Sequence, residues 1–402
     1  MPDAPSRRSR GANNDRANLS GTNLERAGDY NQRVALQSIR VGLAKTKQDA
    51  AAFTGLSVPA ITNITNRLLD DELIIEAGKL HGARGQPAMT FAINPDGCYS
   101  IGLNIDRDHV TIVLLDLAGQ VRARATHEWA FASPETVAEF FDHHCKAFRK
   151  IKGVKRDRII GVGIAMPDDL AKSDLPHRPS EYEAWNRVDV RALLSRSHDW
   201  PVVLENDAAA AALGELHFGH GMRNQSFFYM LVSSGLGGGL VIDGEYFRGA
   251  RGRSGELGFL GVTGSQTATL EDFVSLSALY ERLQDLAPDN PADLVDLPPK
   301  GQVRLNAWIE EAAERLCDPL RSISCLIDPQ AVYVGGRLPE PLIDRLAEAV
   351  NTKLASRNLP LTMAPVRRAA LASDAPAMGA AIIPIIARYL PSRSALRNTD
   401  QA

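Results

Sequence analysis

The stretch PVVLENDAAAAALGELHFG, residues 201–219, decides the fold class. Its first residues are a short β-branched run of strand length, and the remainder is an alanine-rich segment of helical composition. Asn206 and Asp207 stand at the junction, a place where Asn and Asp are favoured because their side chains cap the free N–H groups of a helix start. A strand running directly into a helix is the unit of an α/β fold, and ligands in such folds gather at the carboxyl ends of the strands.

The pattern extends in both directions. Upstream, after Pro95-Asp96-Gly97, YSIGLNI (99–105), HVTIVLLDL (109–117) and QVRARATHEW (120–129) read as consecutive antiparallel strands with turns around Arg107-Asp108 and Ala118-Gly119. A helix at PETVAEFFDHHCKAFRKI (134–151) and a buried strand at RIIGVGIAM (158–166) follow. Downstream, SFFYMLVSSGLGGGLVIDG (226–244) is strand, Gly-rich turn, strand. AVYVGGR (331–337) is strand and turn, and APAMGAAIIPIIARYL (375–390) is an apolar helix. Two such halves place a cleft between them.

The segment before residue 95 has a different period. Val34, Leu36, Ile39, Val41 and Leu43 approximate a helical stripe. Thr46 and Asp49 form a capping-box pattern ahead of Ala50–Phe53, Gly55 interrupts, and Ser57 caps a third helix with Pro59 in its first turn. Ile61, Ile64 and Leu68 share one face of that helix. Ala60, Thr62, Asn63, Thr65, Asn66 and Arg67 are expected to project elsewhere. Small residues and amides on an exposed helix suit a DNA major groove, where Asn pairs with adenine and a Thr methyl meets the thymine methyl. A hairpin follows, Leu73–Ile75 with Met89–Ile93, and its tip carries Lys79, His81 and Arg84 as candidates for the minor groove or phosphates. The order is that of a winged helix-turn-helix.

Composition fits this division. The chain has 402 residues with 45 Lys and Arg against 48 Asp and Glu. Residues 1–95 hold 12 of the basic and 9 of the acidic residues, so a slightly basic head precedes an acidic body. Four dispersed cysteines without a CxxC pair argue against a disulfide scaffold and a Cys-rich zinc site. The polar opening residues show no secretory h-region, and no apolar run reaches the ~18 residues of a membrane helix. A reducing cytoplasm is expected.

Five motifs make the body specific: ENDAAAAALGE (205–215), SSGLGGGLVIDG (233–244), GARGRSGELGF (249–259), VGGRL (334–338) and LASDAPAMGAA (371–381). Together they resemble the ROK family of repressors, open reading frames and kinases, over roughly residues 31–390. The resemblance implies a two-lobed, actin-like (ribonuclease H-like) sugar-kinase fold, and, with a winged helix in front, a sugar-responsive transcription regulator. The expected division is a disordered polar tail over 1–30 and the DNA-binding domain over 31–95. A first lobe follows over 96–205, completed by the helix 375–390, then a second lobe over 206–374 and a tail over 391–402.

The resemblance also assigns a site. Asp207 matches the general base of the kinases and Asn206 a sugar-hydroxyl contact. Glu256 and Glu271 match the two sugar-binding glutamates. Where the family has a histidine, often a zinc ligand, this chain has Phe259, and GVTGSQTA (261–268) lacks the Cys-rich zinc loop, so no metal or other cofactor is expected. Phe259 offers instead a stacking face for a sugar. Ser180 stands where Asn is frequent, and Trp185 reads as core packing. In the kinases an acidic-hydrophobic-Gly-Gly-Thr turn cradles the phosphates of ATP. The turn here is Asn104-Ile105-Asp106-Arg107-Asp108, with both glycines replaced and two carboxylates present. The second Gly-rich turn, Ser234–Gly239, survives and reads as a structural β-turn.

The expectation is therefore a non-enzymatic regulator of carbohydrate genes, read as a repressor, dimeric or tetrameric, with operator DNA and a sugar effector as partners. Its ligand residues would be Asn206, Asp207, Glu256, Phe259 and Glu271. Its DNA-contacting residues would be Ser57, Pro59, Ala60, Thr62, Asn63, Asn66, Arg67 and Arg84. The rival readings are a sugar kinase with an accessory head and a DNA-binding scaffold without ligand.

Overall fold

The structure is a computed structural model that describes residues 24–80, 87–168, 170, 178–262, 266–357, 362–372 and 374–392. The described residues form two compact units. One comprises 24–70, 76–92 and 389–392, the other 71–75 and 93–388.

The first unit holds α1 (Leu24–Arg40), α2 (Lys47–Thr54) and α3 (Val58–Asp70), with the hairpin of β1 (Ile74–Leu80) and β2 (Ala88–Ile93) continuing the chain. Helix α1 opens within the stretch expected to be a disordered tail, because Ala27, Tyr30 and Val34 prolong its apolar stripe. It also ends earlier than the stripe suggests. Gly42, at φ 75°, reverses the chain, so Leu43 lies 59% exposed and Ala44 is buried in its stead. Helix α2 begins at the expected capping box. The Thr46 hydroxyl accepts the Asp49 N–H at 3.1 Å, and the Asp49 carboxylate accepts the Thr46 N–H at 2.8 Å. The Ser57 hydroxyl accepts the Ala60 N–H at 3.4 Å at the start of α3. Thr65 differs from the sequence reading. It is fully buried beside Ile61, Ile64 and Leu68, one turn after Ile61, and its hydroxyl donates back to the Ile61 carbonyl at 2.9 Å. The Phe91 N–H donates to the Lys45 carbonyl at 2.8 Å, which fastens β2 to the loop before α2.

The second unit contains one topology twice. Strands β3 (Tyr99–Ile105), β4 (His109–Asp116) and β5 (Val121–Glu128) form an antiparallel meander. Helix α4 (Pro134–Phe148) leads to β6 (Ile159–Met166), and α5 (Val190–Leu194) to β7 (Val202–Asn206), both parallel to β3. The sheet order is β5-β4-β3-β6-β7. Helix α6 (Asp207–Phe218) then enters the second half. There β8 (Phe227–Val232), β9 (Leu236–Ile242) and β10 (Glu245–Tyr246) again form a meander. Helices α7 (Leu276–Leu283) and α8 (Pro299–Ile327) precede β11 (Ala331–Gly336), α9 (Glu340–Ser356) precedes β12 (Val366–Arg368), and α10 (Ala375–Tyr389) closes the unit. The second sheet order is β10-β9-β8-β11-β12, the same sequence of roles.

Each half buries its own core. Phe141, Ile164 and Trp185 belong to the first; Trp308, Leu316 and Ile343 belong to the second. The Trp185 indole N–H donates to the Ala132 carbonyl at 2.9 Å, so this residue packs the core. The equivalent helices α6 and α10 each lie on the opposite sheet. Helix α6 follows the first sheet but sets Ala208 and Ala212 against Gly237 and Gly239 of β9, where an added Cβ would come within 2.7 and 2.5 Å of the alanine methyls. Helix α10 follows the second sheet but lies on Gly102 of β3 and Gly163 of β6. The alanine run 208–212 and the glycines 237 and 239 are thus two sides of one close contact, while Gly238 on the other face of β9 lies against the Gly255 backbone.

Glu215 fixes the end of α6. Fully buried, its carboxylate accepts N–H groups from His220 at 2.9 Å, Ala370 at 3.0 Å and Leu371 at 3.2 Å, tying α6 to the segment that leads into α10. Glu215→Ala is expected to cost about 2 kcal/mol or more, since it leaves three partly buried donors without their acceptor. Thermal unfolding of the purified variant measures the loss.

Candidate functional site

Between the two halves lies a cavity of 440 Å³. The duplicated topology builds it. The β3–β4 and β8–β9 turns occupy equivalent places in the two halves and meet there. The junction of β7 with α6 contributes the floor, and the segments 253–259 and 271–281 contribute the second half's wall. Asn206, Asp207, Glu256, Phe259 and Glu271, all taken from the sequence, line it together. Ser180 is exposed and is not among the lining residues.

Asn206 has two functions. Its side-chain oxygen accepts the N–H groups of Ala208 at 2.9 Å and Ala209 at 3.1 Å, so it is the helix cap, and the residue also lines the cavity. The neighbouring Asp207 accepts the Ala208 N–H at 2.8 Å. Burial, then the charge of Asp106, push the Asp207 carboxyl up to about 7; Asp168 adds to this, while the Ala208 N–H and Arg107 oppose it. Near neutrality this group can therefore accept or donate a proton in a hydrogen bond.

Glu271 does more than face the cavity. Its carboxylate accepts the Leu236 N–H at 2.7 Å and so holds the start of β9. Glu256 pairs with Arg253 at 3.1 Å, and Arg253 also stands 3.9 Å from Asp168. Phe259 exposes 57% of its surface at the cavity wall, a free aromatic face.

The two hairpin turns hydrogen-bond to each other. Buried Asp106 accepts the Ser233 hydroxyl with one oxygen and the Arg107 N–H at 2.7 Å with the other. Asp108 accepts from His109 Nδ1 at 2.6 Å; the second ring nitrogen of His109 accepts from the Asn104 amide at 3.0 Å. Burial alone would raise the Asp108 carboxyl, but the His109 hydrogen bond and Arg337 hold it below the usual carboxylate range. Arg337 follows the Gly335-Gly336 turn and pairs with Glu128. The oxygens and ring nitrogen of Asp106, Asp108 and His109 lie within 4.8 Å of one another, and each residue is engaged in these bonds. The sequence places Asp106 and Asp108 as two carboxylates in this turn. The bond of Asp106 to Ser233 of the other half is not legible there, because it joins positions more than a hundred residues apart.

On the head, Ser57, Pro59, Asn63, Asn66 and Arg67 are exposed along α3, and Ala60 and Thr62 are half-buried. Arg84 and His81 lie outside the described residues, and Lys79 is exposed at the end of β1. Among the described residues no helix is long and apolar enough to cross a membrane.

Comparison with known proteins agrees with this architecture. The xylose repressor of Bacillus spizizenii is 25% identical over 368 residues, covering 88% of this chain and 94% of its own. A ROK family transcriptional regulator described as a homologue of the Escherichia coli MLC protein superposes with a TM-score of 0.65 at 22% identity, over 90% of this chain and 96% of its own. The ROK hexokinase of Thermus thermophilus gives 0.51 at 28% identity, over 71% of this chain and 97% of its own. The described fold is the two-lobed, actin-like one, carrying a winged helix-turn-helix. With the sequence pattern of the family described as ROK matching residues 100–385, the body that holds this cavity, the chain belongs to the ROK family.

Proposed function

We propose that the chain is a DNA-binding transcriptional regulator, a repressor in the simplest case, whose operator affinity is set by a sugar bound in the cavity and which does not phosphorylate that sugar. The observation that carries this reading is the pair of facing turns. The position that would cradle ATP phosphates in a kinase is spanned by Asp106 on Ser233, with Asp108 held beside it by His109, so carboxylates and side-chain bonds stand where a phosphate cradle needs open backbone N–H groups. The sugar-facing residues are retained, and a winged helix is present. The similarity to the xylose repressor over most of both chains supports the same reading.

In this proposal Asn63, Asn66 and Arg67 read or hold DNA from α3, with Ser57, Pro59, Ala60 and Thr62 at its entry. A second copy of the chain binds the other half of a palindromic operator, half-sites being spaced by about one helical turn or a multiple of it. The sugar acts by binding one conformation better than another; moving the balance from ~1% to ~99% takes ~10⁴-fold discrimination.

The test begins with duplexes selected from random DNA by the full chain. An enriched palindrome is expected, and Asn63→Ala should weaken binding to it by roughly ten- to a hundredfold, the size of one base contact. Titration with a monosaccharide panel should then change the affinity. Failure to enrich any sequence overturns the regulator reading. Sugar-dependent ATP turnover that disappears in Asp207→Asn would install the kinase in its place, and DNA binding with no response or heat from any sugar would leave the scaffold.

A further inference from the structure

The cavity is markedly acidic. Among the described residues its wall presents seven carboxyl groups and two guanidinium groups, and no lysine or histidine. Arg253 is shared by Glu256 and Asp168. Arg107 emerges from the turn beside Asp106, and its guanidinium approaches Gly235 on the side where Glu271 also lies. The two features that usually attract an anion are also taken. At the N-terminus of α6, Asn206 and Asp207 already accept the Ala208 and Ala209 N–H groups. At the Gly-rich turn, Glu271 already accepts the Leu236 N–H. Asp207, Asp272 and Glu281 add charge at the wall, while Phe259 offers an apolar face.

We infer that the effector is an uncharged or amino-bearing polyhydroxyl compound and that the site rejects sugar phosphates and sugar acids. This rests on the sugar-effector reading above and adds to it the charge class of the ligand. Carboxylates accept hydrogen bonds from hydroxyls and from ammonium groups, whereas a phosphate brings a further negative charge among them. At an effective dielectric constant of ~20, one uncompensated carboxylate at ~7 Å is enough to weaken such a ligand by more than tenfold. Burial is the first cause of the raised proton affinity of Asp207, and the Asp106 and Asp168 charges of the same wall add to it.

The experiment is calorimetry on the full chain with matched sets: D-glucose, D-glucosamine, D-glucose 6-phosphate and D-glucuronate, the corresponding galactose and mannose derivatives, N-acetylglucosamine with its 6-phosphate, and D-xylose. For any sugar that binds, the phosphate and the acid are expected to bind at least tenfold more weakly than the neutral parent. In Glu281→Gln, which changes an exposed side chain, the ratio of phosphate to neutral dissociation constants should narrow at least twofold. A phosphate or uronate binding as tightly as its parent overturns this inference and leaves the sugar-effector reading standing. A ratio unmoved in Glu281→Gln overturns charge as its cause. Absence of binding by every probe, with operator binding intact, overturns the sugar-effector reading and this inference with it.

Discussion

Gly379→Ala is expected to lower the unfolding temperature of the body by ten degrees or more, or to yield insoluble chain. Gly379 lies in α10, where that helix crosses α6. A Cβ built there would overlap the carbonyl of Ala210 and come within 3.0 Å of the Gly214 nitrogen. The partner residue is also a glycine: a Cβ on Gly214 would stand 2.7 Å from the Ala375 carbonyl oxygen. Both obstacles are helix backbone, so no rotamer change relieves them and the helices must separate. Separation would in turn lift α10 from Gly102 and Gly163, where it lies against the first sheet with its backbone. Overpacking costs ~1–3 kcal/mol where side chains can yield, and more where they cannot; about 4 kcal/mol or more is expected here, a large fraction of ~5–15 kcal/mol of total stability. Gly28→Ala provides the contrast. That glycine is also helical, but nothing lies within 4 Å of its added Cβ. Alanine there should be neutral or stabilise by up to ~1 kcal/mol. Equal unfolding temperatures for wild type and Gly379→Ala would show that the two helices do not cross at backbone contact.

That crossing marks a boundary of what residues disclose by themselves. The alanine run 208–212 and the glycine run 237–239 are conspicuous in the sequence, but their complementarity depends on α6 leaving one sheet to lie on the other. Local features were legible because their partners are near in sequence. The Thr46–Asp49 box needs three residues, and the Asn206 cap needs the strand-to-helix junction. The same locality misled at Leu43, where an apolar residue at nearly helical spacing follows a glycine that ends the helix. At Thr65 the hydroxyl concealed a buried position that the spacing from Ile61 would have placed on the apolar face. In the site, Glu256, Glu271 and Phe259 came from motif resemblance, with Asn206 and Asp207 from both resemblance and the junction. Arg253, Asp168 and Glu281 had no such signal, since charged residues on loops and helix surfaces are ordinary until a cavity gathers them. The facing of the two turns could not be read at all, because it follows from the duplicated topology and not from either turn's composition.

Asp207→Asn should make the protein more stable at alkaline pH while weakening its grip on a sugar. In the folded chain this carboxyl is pushed up to about 7, by burial and then by Asp106, against an ordinary value of 3.8. Below about pH 4 the group is protonated whether the chain is folded or not, and it contributes nothing to pH dependence. Between about 4 and 7 the folded chain holds the proton that the unfolded chain has lost, so stability falls as pH rises. Above about 7 the penalty is complete, of the order of 3 kcal/mol. Asn keeps an oxygen to accept the Ala208 N–H and removes the charge that Asp106 and Asp168 oppose. The variant should therefore match wild type near pH 4 and unfold roughly 5 °C higher at pH 8. For the same reason it should bind its sugar at least tenfold more weakly at pH 8, because a charged acceptor for a hydroxyl, worth about 1.5–3 kcal/mol, has been replaced by a neutral one. Calorimetric scans of both proteins between pH 4 and 8, paired with sugar titrations at pH 8, read the two effects separately. A difference in unfolding temperature that does not grow with pH would mean that Asp207 is ionised at neutral pH like an ordinary carboxylate. A stabilised variant with undiminished sugar affinity would place the strained carboxyl outside the ligand's hydrogen bonds. Gain in one measurement with loss in the other is the signature of a buried acid kept at an energetic cost for the ligand it receives.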